Sequence, residues 1–425
     1  MSRSSTSLVA AVTVTLAFTG TLWAETAPLP VAQPATQGVS PAGLARLSAI
    51  LRRDVETGRY AGAVALVARN GRIVHFDAVG SRHLTSRLPM EKDTIVRIYS
   101  MSKLITSVAV LMLMEEGRFN LDDPVSRYIP ELSHPRVFVS GTTDATILDD
   151  ARQPITVRHL LTHTAGYVYE YAGLSEGTLG QLYGRAKLFD SSDLKEFVSR
   201  AATLPLRHQP GEEFAYGINT DILGYLVQVV SGKRLGQFLE ERIFTPLEMK
   251  DTAFDVPAEK MNRLAKVHGL DKEGRLAVTD EVISAAWAEA GHGMESGGGG
   301  LFSTAGDYAR FGQMLLNGGT LDGRRLLSRK TVELMTANHL ATLAKPRHAF
   351  SPVMGFGLGV EVRVDVGGSD ALGSVGQFGW DGGATTYVRI DPAEKLVAIL
   401  LVQHFPMNES GIFTRFNNAC YAALE

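Results

Sequence analysis

The chain has 425 residues, 45% hydrophobic and 20% charged, with a net charge of −3. That is ample for a large core in one or two intimate domains, and 42 basic against 45 acidic residues give no electrostatic footing for nucleic acid. The single cysteine, Cys420, excludes an internal disulfide.

Residues 1–24 read as a secretory signal: Arg3 precedes an apolar run over 8–19, and Leu22-Trp23-Ala24 offers a cleavage site. The run is shorter than the roughly 20 residues that span a bilayer. Export is therefore expected, to the periplasm or the medium, with no stable membrane span after the signal is removed. Residues 25–39, rich in Pro, Ala and Thr, read as a disordered leader. Ser40-Pro41 opens a helix to about residue 57, with Leu44, Leu47, Ile50 and Leu51 at helical spacing. Apolar runs over 62–68 and 73–79, joined through Asn70-Gly71, predict a hairpin.

Next comes Tyr99-Ser100-Met101-Ser102-Lys103, ahead of good helix formers that run to Glu116 and stop at Gly117. Ser100 falls at a helix N-terminus, where free N–H groups and the dipole favour developing negative charge. Lys103 lies three positions on, on the same face, within reach of the Ser100 hydroxyl. A serine needs a base to become a nucleophile, and a desolvated lysine can serve. Ser-x-x-Lys alone is a weak signal, since both residue types are common.

A loop-rich helical region follows from Asp122-Asp123-Pro124, with a short helix and glycine stop in the segment from His159 to Gly166. Further helices are expected near 192–202, 219–231, 234–241 and 304–316. Strands are expected over 357–366, 376–380, 385–390 and 396–402, and a closing helix over 412–424. Strands thus gather at both ends and helices in the middle, which predicts an antiparallel sheet assembled from the two termini around a helical insertion.

Two more segments carry candidate chemistry. Tyr216, just before a helix, could relay protons if a cation favoured its phenolate, or could be a packed tyrosine with a bonded hydroxyl. Asn219 or Asp221 beside it could cap that helix. In Trp380-Asp381-Gly382-Gly383, glycines at a strand edge allow close substrate approach, and an N–H there could join that of Ser100 in an oxyanion hole. A plain bulge or turn is the alternative.

Together, Ser100-Met101-Ser102-Lys103, the His159–Gly166 segment, Tyr216 running into Asp221-Ile222-Leu223-Gly224, the 297–307 segment, and Trp380-Asp381-Gly382 leading to Arg389-Ile390-Asp391-Pro392 resemble the serine β-lactamase and penicillin-binding protein superfamily. Within it, the likeness is to the class C β-lactamase-like carboxylesterases, family VIII, and covers the chain from about Ser40 onward. The resemblance implies an α/β (α+β) fold: a central antiparallel sheet flanked by helices (40–105 and 256–425), a mainly helical domain (106–255), and the site between them. It also implies that Ser100 is acylated, that Lys103 is its base or the base's partner, that Tyr216 is a second proton relay, and that Ser100 and Gly383 supply oxyanion N–H groups. Trp380, Asp381, Gly382 and Asn219 become substrate-binding candidates. No metal or organic cofactor is required, and a small-molecule ester is the expected partner.

Two departures from the family favour an ester over a β-lactam. Class C enzymes carry Tyr-x-Asn, whereas here Asn219 stands one place late. β-Lactamases carry Lys-Thr-Gly where this chain has Trp380-Asp381-Gly382, an aromatic wall with an adjacent negative charge. A serine carboxylesterase for short- to medium-chain acyl esters is the expected activity, with weak cephalosporin hydrolysis in reach. A class C-like β-lactamase, a D-amino-acid peptidase and a penicillin-binding module that acylates without turnover are the alternatives. Three other patterns carry less. Gly173-Leu174-Ser175-Glu176-Gly177 matches a nucleophile elbow but lacks its strand and helix. His159 and His163 are four apart without the glutamate of a zinc motif. The 297–300 glycine run lacks the Lys-Ser/Thr of a phosphate loop and suits a tight backbone crossing. Tyr167, Tyr169 and Tyr171 could line an acyl pocket or pack a surface loop.

Overall fold

A computed structural model describes residues 28–170, 177–279, 293–343 and 349–425. The signal segment, Tyr171 and Ser175 lie outside the described residues.

Helix α1 (Pro41–Glu56) begins where Ser40 accepts the Gly43 N–H, and it buries Leu44, Leu47 and Leu51 against the sheet. Strands β1 (Gly62–Arg69) and β2 (Arg72–His83) turn through Asn70 and Gly71, at φ +54° and +74°. Both angles are positive, as the tight two-residue hairpin turn requires. The remaining strands of the main sheet are β3 (Leu88–Pro89), β4 (Met354–Phe356), β5 (Glu361–Arg363), β6 (Phe378–Gly382), β7 (Thr386–Asp391) and β8 (Leu396–Val402). Their order is β4-β5-β6-β7-β8-β1-β2-β3, antiparallel throughout. The two ends of the chain meet at its centre, where Ala63 pairs with Val402 and Arg69 with Leu396.

Period-two alternation splits these central strands between two cores. Ala63, Ala65 and Val67 join Ala398 and Leu400 beneath α1 and α5 (Ile412–Tyr421). Val64, Leu66, Val397 and Ile399 face the other way, into a core shared with α2 (Ser102–Glu115), α3 (Asn219–Ser231) and α4 (Ala305–Leu316). Helix α2 is buried from Ser102 through Leu113, so its apolar residues run all round rather than along one stripe.

Residues 28–39 correct the expected disordered leader. Ile73 N–H bonds Pro30 O at 2.8 Å, Ala32 N–H bonds Ile73 O at 3.0 Å, and Leu29 and Val39 are buried. Two apolar anchors and backbone pairing to Ile73 hold a segment whose average composition is that of a linker. A second difference lies in the helical middle, where strands Arg136–Thr142 and Ala145–Asp150 form a separate, largely exposed hairpin. Among the described residues, no helix is long and apolar enough to cross a membrane.

Candidate active site

Short strand Val96–Arg97 pairs with Phe302–Ser303, and Ile98 N–H bonds Leu301 O at 3.0 Å. A 3₁₀ turn, Tyr99–Met101, then runs into α2, with Tyr99 at φ +44°. This entry holds Ser100 half-exposed above the first turn of α2, with Lys103 buried behind it. Lys103 Nζ lies 3.1 Å from Ser100 Oγ, 3.0 Å from Tyr169 Oη and 2.6 Å from Gly298 O. An ammonium has three N–H donors, and three acceptors surround this one.

Tyr216 Oη is 2.7 Å from Ser100 Oγ, and the Tyr216 ring centroid is 4.8 Å from Lys103 Nζ. His163 grips the chain on both sides of Tyr216: its carbonyl accepts Ala215 N–H at 2.8 Å and its Nδ1 faces Gly217 N–H at 3.4 Å. Gly217 has to be glycine, because a Cβ there would stand 2.3 Å from Tyr167 O. Ser100 Oγ is thus within hydrogen-bond reach of both Lys103, one helical turn on, and Tyr216, from a distant part of the chain.

Strand β6 closes another side. Trp380 Nε1–H donates to Tyr216 Oη at 3.2 Å. A Cβ on Gly382 would lie 2.3 Å from Ile98 O, so the missing side chain lets β6 approach the backbone leading to Ser100. The Thr386 hydroxyl donates to the same Ile98 carbonyl at 3.2 Å. Gly383 follows in the turn, where a built Cβ would be 3.8 Å from the Tyr99 ring. Trp380 also packs with Tyr216, Phe356 and Phe350 at centroid distances of 5.3, 5.2 and 5.9 Å, an aromatic wall that Phe214 extends.

Two expected substrate-binding residues are placed elsewhere. Asp381 alternates with Trp380 and points through the opposite face of β6, where its carboxylate accepts Arg389 Nη1–H at 2.8 Å. Arg389 also reaches Glu361 at 3.1 Å, so the charge expected to repel an anionic substrate is neutralised away from Ser100. Burial pushes the Asp381 carboxyl up, opposed by Arg389. Asn219 is fully buried, with its amide Nδ2 2.8 Å from His163 Nδ1. It steadies His163 rather than facing a substrate. Burial and the charge of Lys103 hold His163 well below the usual imidazole range, consistent with a neutral ring accepting at Nδ1.

His159 is a capping residue: it shares a capping box with Thr156 at the start of the helix Val157–Leu161. Among the described residues no cluster suited to a metal ion occurs. The glycine run is a tight crossing, since a Cβ on Gly298 would be 2.5 Å from Asp221 Oδ2. Tyr169 was legible only as one of three tyrosines in a loop, and nothing local marked it as the partner of Lys103.

Residues 47–423 match the family described as Beta-lactamase. "Protein Rv1367c" of Mycobacterium tuberculosis is 36% identical over 368 residues, covering 84% of this chain and 89% of that one. "Lovastatin esterase" of Penicillium rubens is 31% identical over 372 residues, covering 82% and 90%. Among solved structures, "EstCE1, a hydrolase with promiscuous acyltransferase activity" superposes with a TM-score of 0.78 at 26% identity, covering 89% of this chain and 99% of that one. A family match across nearly the whole described chain, a relative named as an esterase and a structural neighbour described as a hydrolase, and a serine held by a buried lysine lead to one conclusion: the chain belongs to the β-lactamase family and is a serine hydrolase.

Proposed function

We propose that the protein is a carboxylesterase of the family VIII type, which hydrolyses short- to medium-chain acyl esters through an acyl-enzyme on Ser100. The observation that carries this is Trp380: where a β-lactamase presents a cationic lysine to a substrate carboxylate, this chain presents an indole that packs against Tyr216 and bonds its oxygen. An apolar wall favours a neutral ester over an anionic lactam. Phe350, exposed beside that wall, extends it for the acyl or alcohol group. Cephalosporin hydrolysis is the weak side reaction on this reading.

The geometry supports a division of labour. Lys103, with Nζ 3.1 Å from Ser100 Oγ and 4.8 Å from the Tyr216 ring centroid, lies beside both partners of the proton transfer, and Trp380 N–H bonds the Tyr216 oxygen. Tyr216 takes the Ser100 proton as Oγ attacks the ester carbonyl. The oxyanion is held by the N–H groups of Ser100 and Gly383. Collapse breaks the C–O bond, and Tyr216 returns the proton to the departing alkoxide. Water then gives a proton to the same tyrosine as its oxygen attacks the acyl carbon; collapse breaks the Ser100 Oγ–C bond, releases the carboxylic acid, and Tyr216 returns the proton to Ser100 Oγ. EstCE1 is described as a hydrolase with promiscuous acyltransferase activity, which favours a second acceptor here too, an alcohol in competition with water. The N-terminal sequence supports export, to be checked by sequencing the mature N-terminus.

The test is a paired assay of wild type and Ser100→Ala on a short-chain p-nitrophenyl ester and a chromogenic cephalosporin. Ester turnover that Ser100→Ala abolishes, with Lys103→Ala and Tyr216→Phe each at least ~100-fold slower, is expected. A faster cephalosporin reaction would make the protein a β-lactamase, and a burst without turnover a penicillin-binding module.

A further inference from the structure

Asp221 lies in the first turn of α3, wholly buried, and among the described residues it has no ion-pair partner in direct contact. Its Oδ1 accepts the Ser296 hydroxyl at 2.5 Å and the Gly298 N–H at 3.0 Å, while Oδ2 accepts nothing. A buried carboxylate with one oxygen unbonded is costly, and if its task were only to hold two donors an asparagine would serve without that cost. The residue it holds is the informative one. Gly298 gives its N–H to Asp221 and its carbonyl to Lys103 Nζ, at 2.6 Å.

The rest of this loop is stitched to α2 on either side of Lys103. The Thr106 hydroxyl donates to Gly297 O at 2.8 Å, and Leu301 N–H donates to Ser102 Oγ at 3.2 Å. Gly298 itself is aimed by Asp221, and it fits only without a side chain, since a Cβ would stand 2.5 Å from Oδ2. Burial disfavours the carboxylate form of Asp221, and the charge that opposes this is that of Lys103, presented from α2. Among the described residues the loop face offers Ser296 and the Gly298 N–H, and on its own helix the Asp221 N–H also favours the charged form while Asn219 is neutral and turned toward His163.

We propose that Asp221 is a positioning residue for the reaction: it aims the Gly298 carbonyl at Lys103 and supplies the buried negative charge that balances the ammonium, so that Nζ stays directed at Ser100 and Tyr169. This rests on the reading of Ser100 as nucleophile. Asp221→Asn keeps the side-chain shape and an acceptor for both donors but removes the charge, so it separates this role from helix capping.

The experiment measures the rate at which a fluorophosphonate inactivates the full-length enzyme, alongside kcat and KM for a p-nitrophenyl ester and the melting temperature. Asp221→Asn is expected to slow phosphonylation of Ser100 and kcat together by about tenfold or more, with KM within about twofold. Labelling at the wild-type rate would overturn the proposal, as would a loss confined to KM. Gly298→Ala, which leaves Asp221 in place but wedges the pair apart, should reproduce the slow labelling, and a wild-type rate there would also overturn it. If wild type is not labelled at Ser100 at all, the site reading and this proposal fall together. Normal wild-type labelling with an unaffected Asp221→Asn sinks this proposal alone.

Discussion

Trp380 and Tyr216 meet through an indole N–H donated to the phenol oxygen at 3.2 Å, with their rings 5.3 Å apart at a tilt of 44°. The same phenol oxygen is 2.7 Å from Ser100 Oγ. One side chain therefore walls the site and hydrogen-bonds the phenol oxygen that the proposed mechanism uses as proton relay. Trp380→Phe keeps the wall and deletes the donor, so kcat should fall by about tenfold with little change in KM, the loss of one hydrogen bond to the relay oxygen. An unchanged kcat would reduce Trp380 to packing.

Tyr169 supplies one of the three acceptors around Lys103 Nζ. Removing its oxygen in Tyr169→Phe leaves a buried amine short of a partner while the ring stays stacked on Phe189. Steady-state kinetics should show a kcat lowered by roughly three- to thirtyfold, a smaller effect than Tyr216→Phe because it is Tyr216 that bonds Ser100 Oγ directly, at 2.7 Å. Equal losses in the two variants would mean that Tyr169 shares the proton relay.

Phe350 is 57% exposed even though its ring lies 5.8 Å from Tyr216 and 5.9 Å from Trp380. An aromatic ring left open beside the nucleophile's neighbour gains by burying an apolar group of the substrate. Phe350→Ala should raise KM several-fold for longer-chain p-nitrophenyl esters and leave the acetate ester nearly unchanged. A uniform change along the ester series would remove Phe350 from the binding surface.

Asp307, in the first turn of α4, offers a pH-dependent test of stability. Burial pushes its carboxyl from 3.8 up to about 6, against hydrogen bonds from Asp251 N–H and the Thr252 hydroxyl that favour the charged form. The folded chain therefore binds this proton more tightly than the unfolded chain. The resulting stability is full below about pH 4 and is lost as pH rises through about 6. Asp307→Asn keeps an acceptor for both donors and cannot ionise. Denaturant unfolding should show wild type losing up to roughly 3 kcal/mol relative to the variant between pH 4 and 7. A difference that stays flat with pH would refute the assignment.

Local chemistry marked much of this protein in advance. Ser40-Pro41 capped α1 as its side-chain oxygen and fixed φ require, Asn70-Gly71 turned the first hairpin, and an unbroken apolar run picked out β8. Ser100, Lys103 and Tyr216 were readable through the resemblance of several ordered motifs to one family; by residue type and spacing alone Ser-x-x-Lys was a weak signal and Tyr216 could equally be a packed tyrosine. What sequence could not contain is direction across long separations. Trp380 and Asp381 are neighbours, yet the pleat of β6 sends one toward Tyr216 and the other to Arg389 on the far face. Asn219 lies only three residues beyond Tyr216 but turns inward to His163, because α3 begins at Asn219 and reorients the chain. Tyr169 and Gly298 reach Lys103 only because the sheet, assembled from both ends of the chain, brings distant loops onto the first turn of α2. Residue type and spacing determined which groups could do the chemistry; burial and strand register, set by the packing of the whole chain, decided which of them face it.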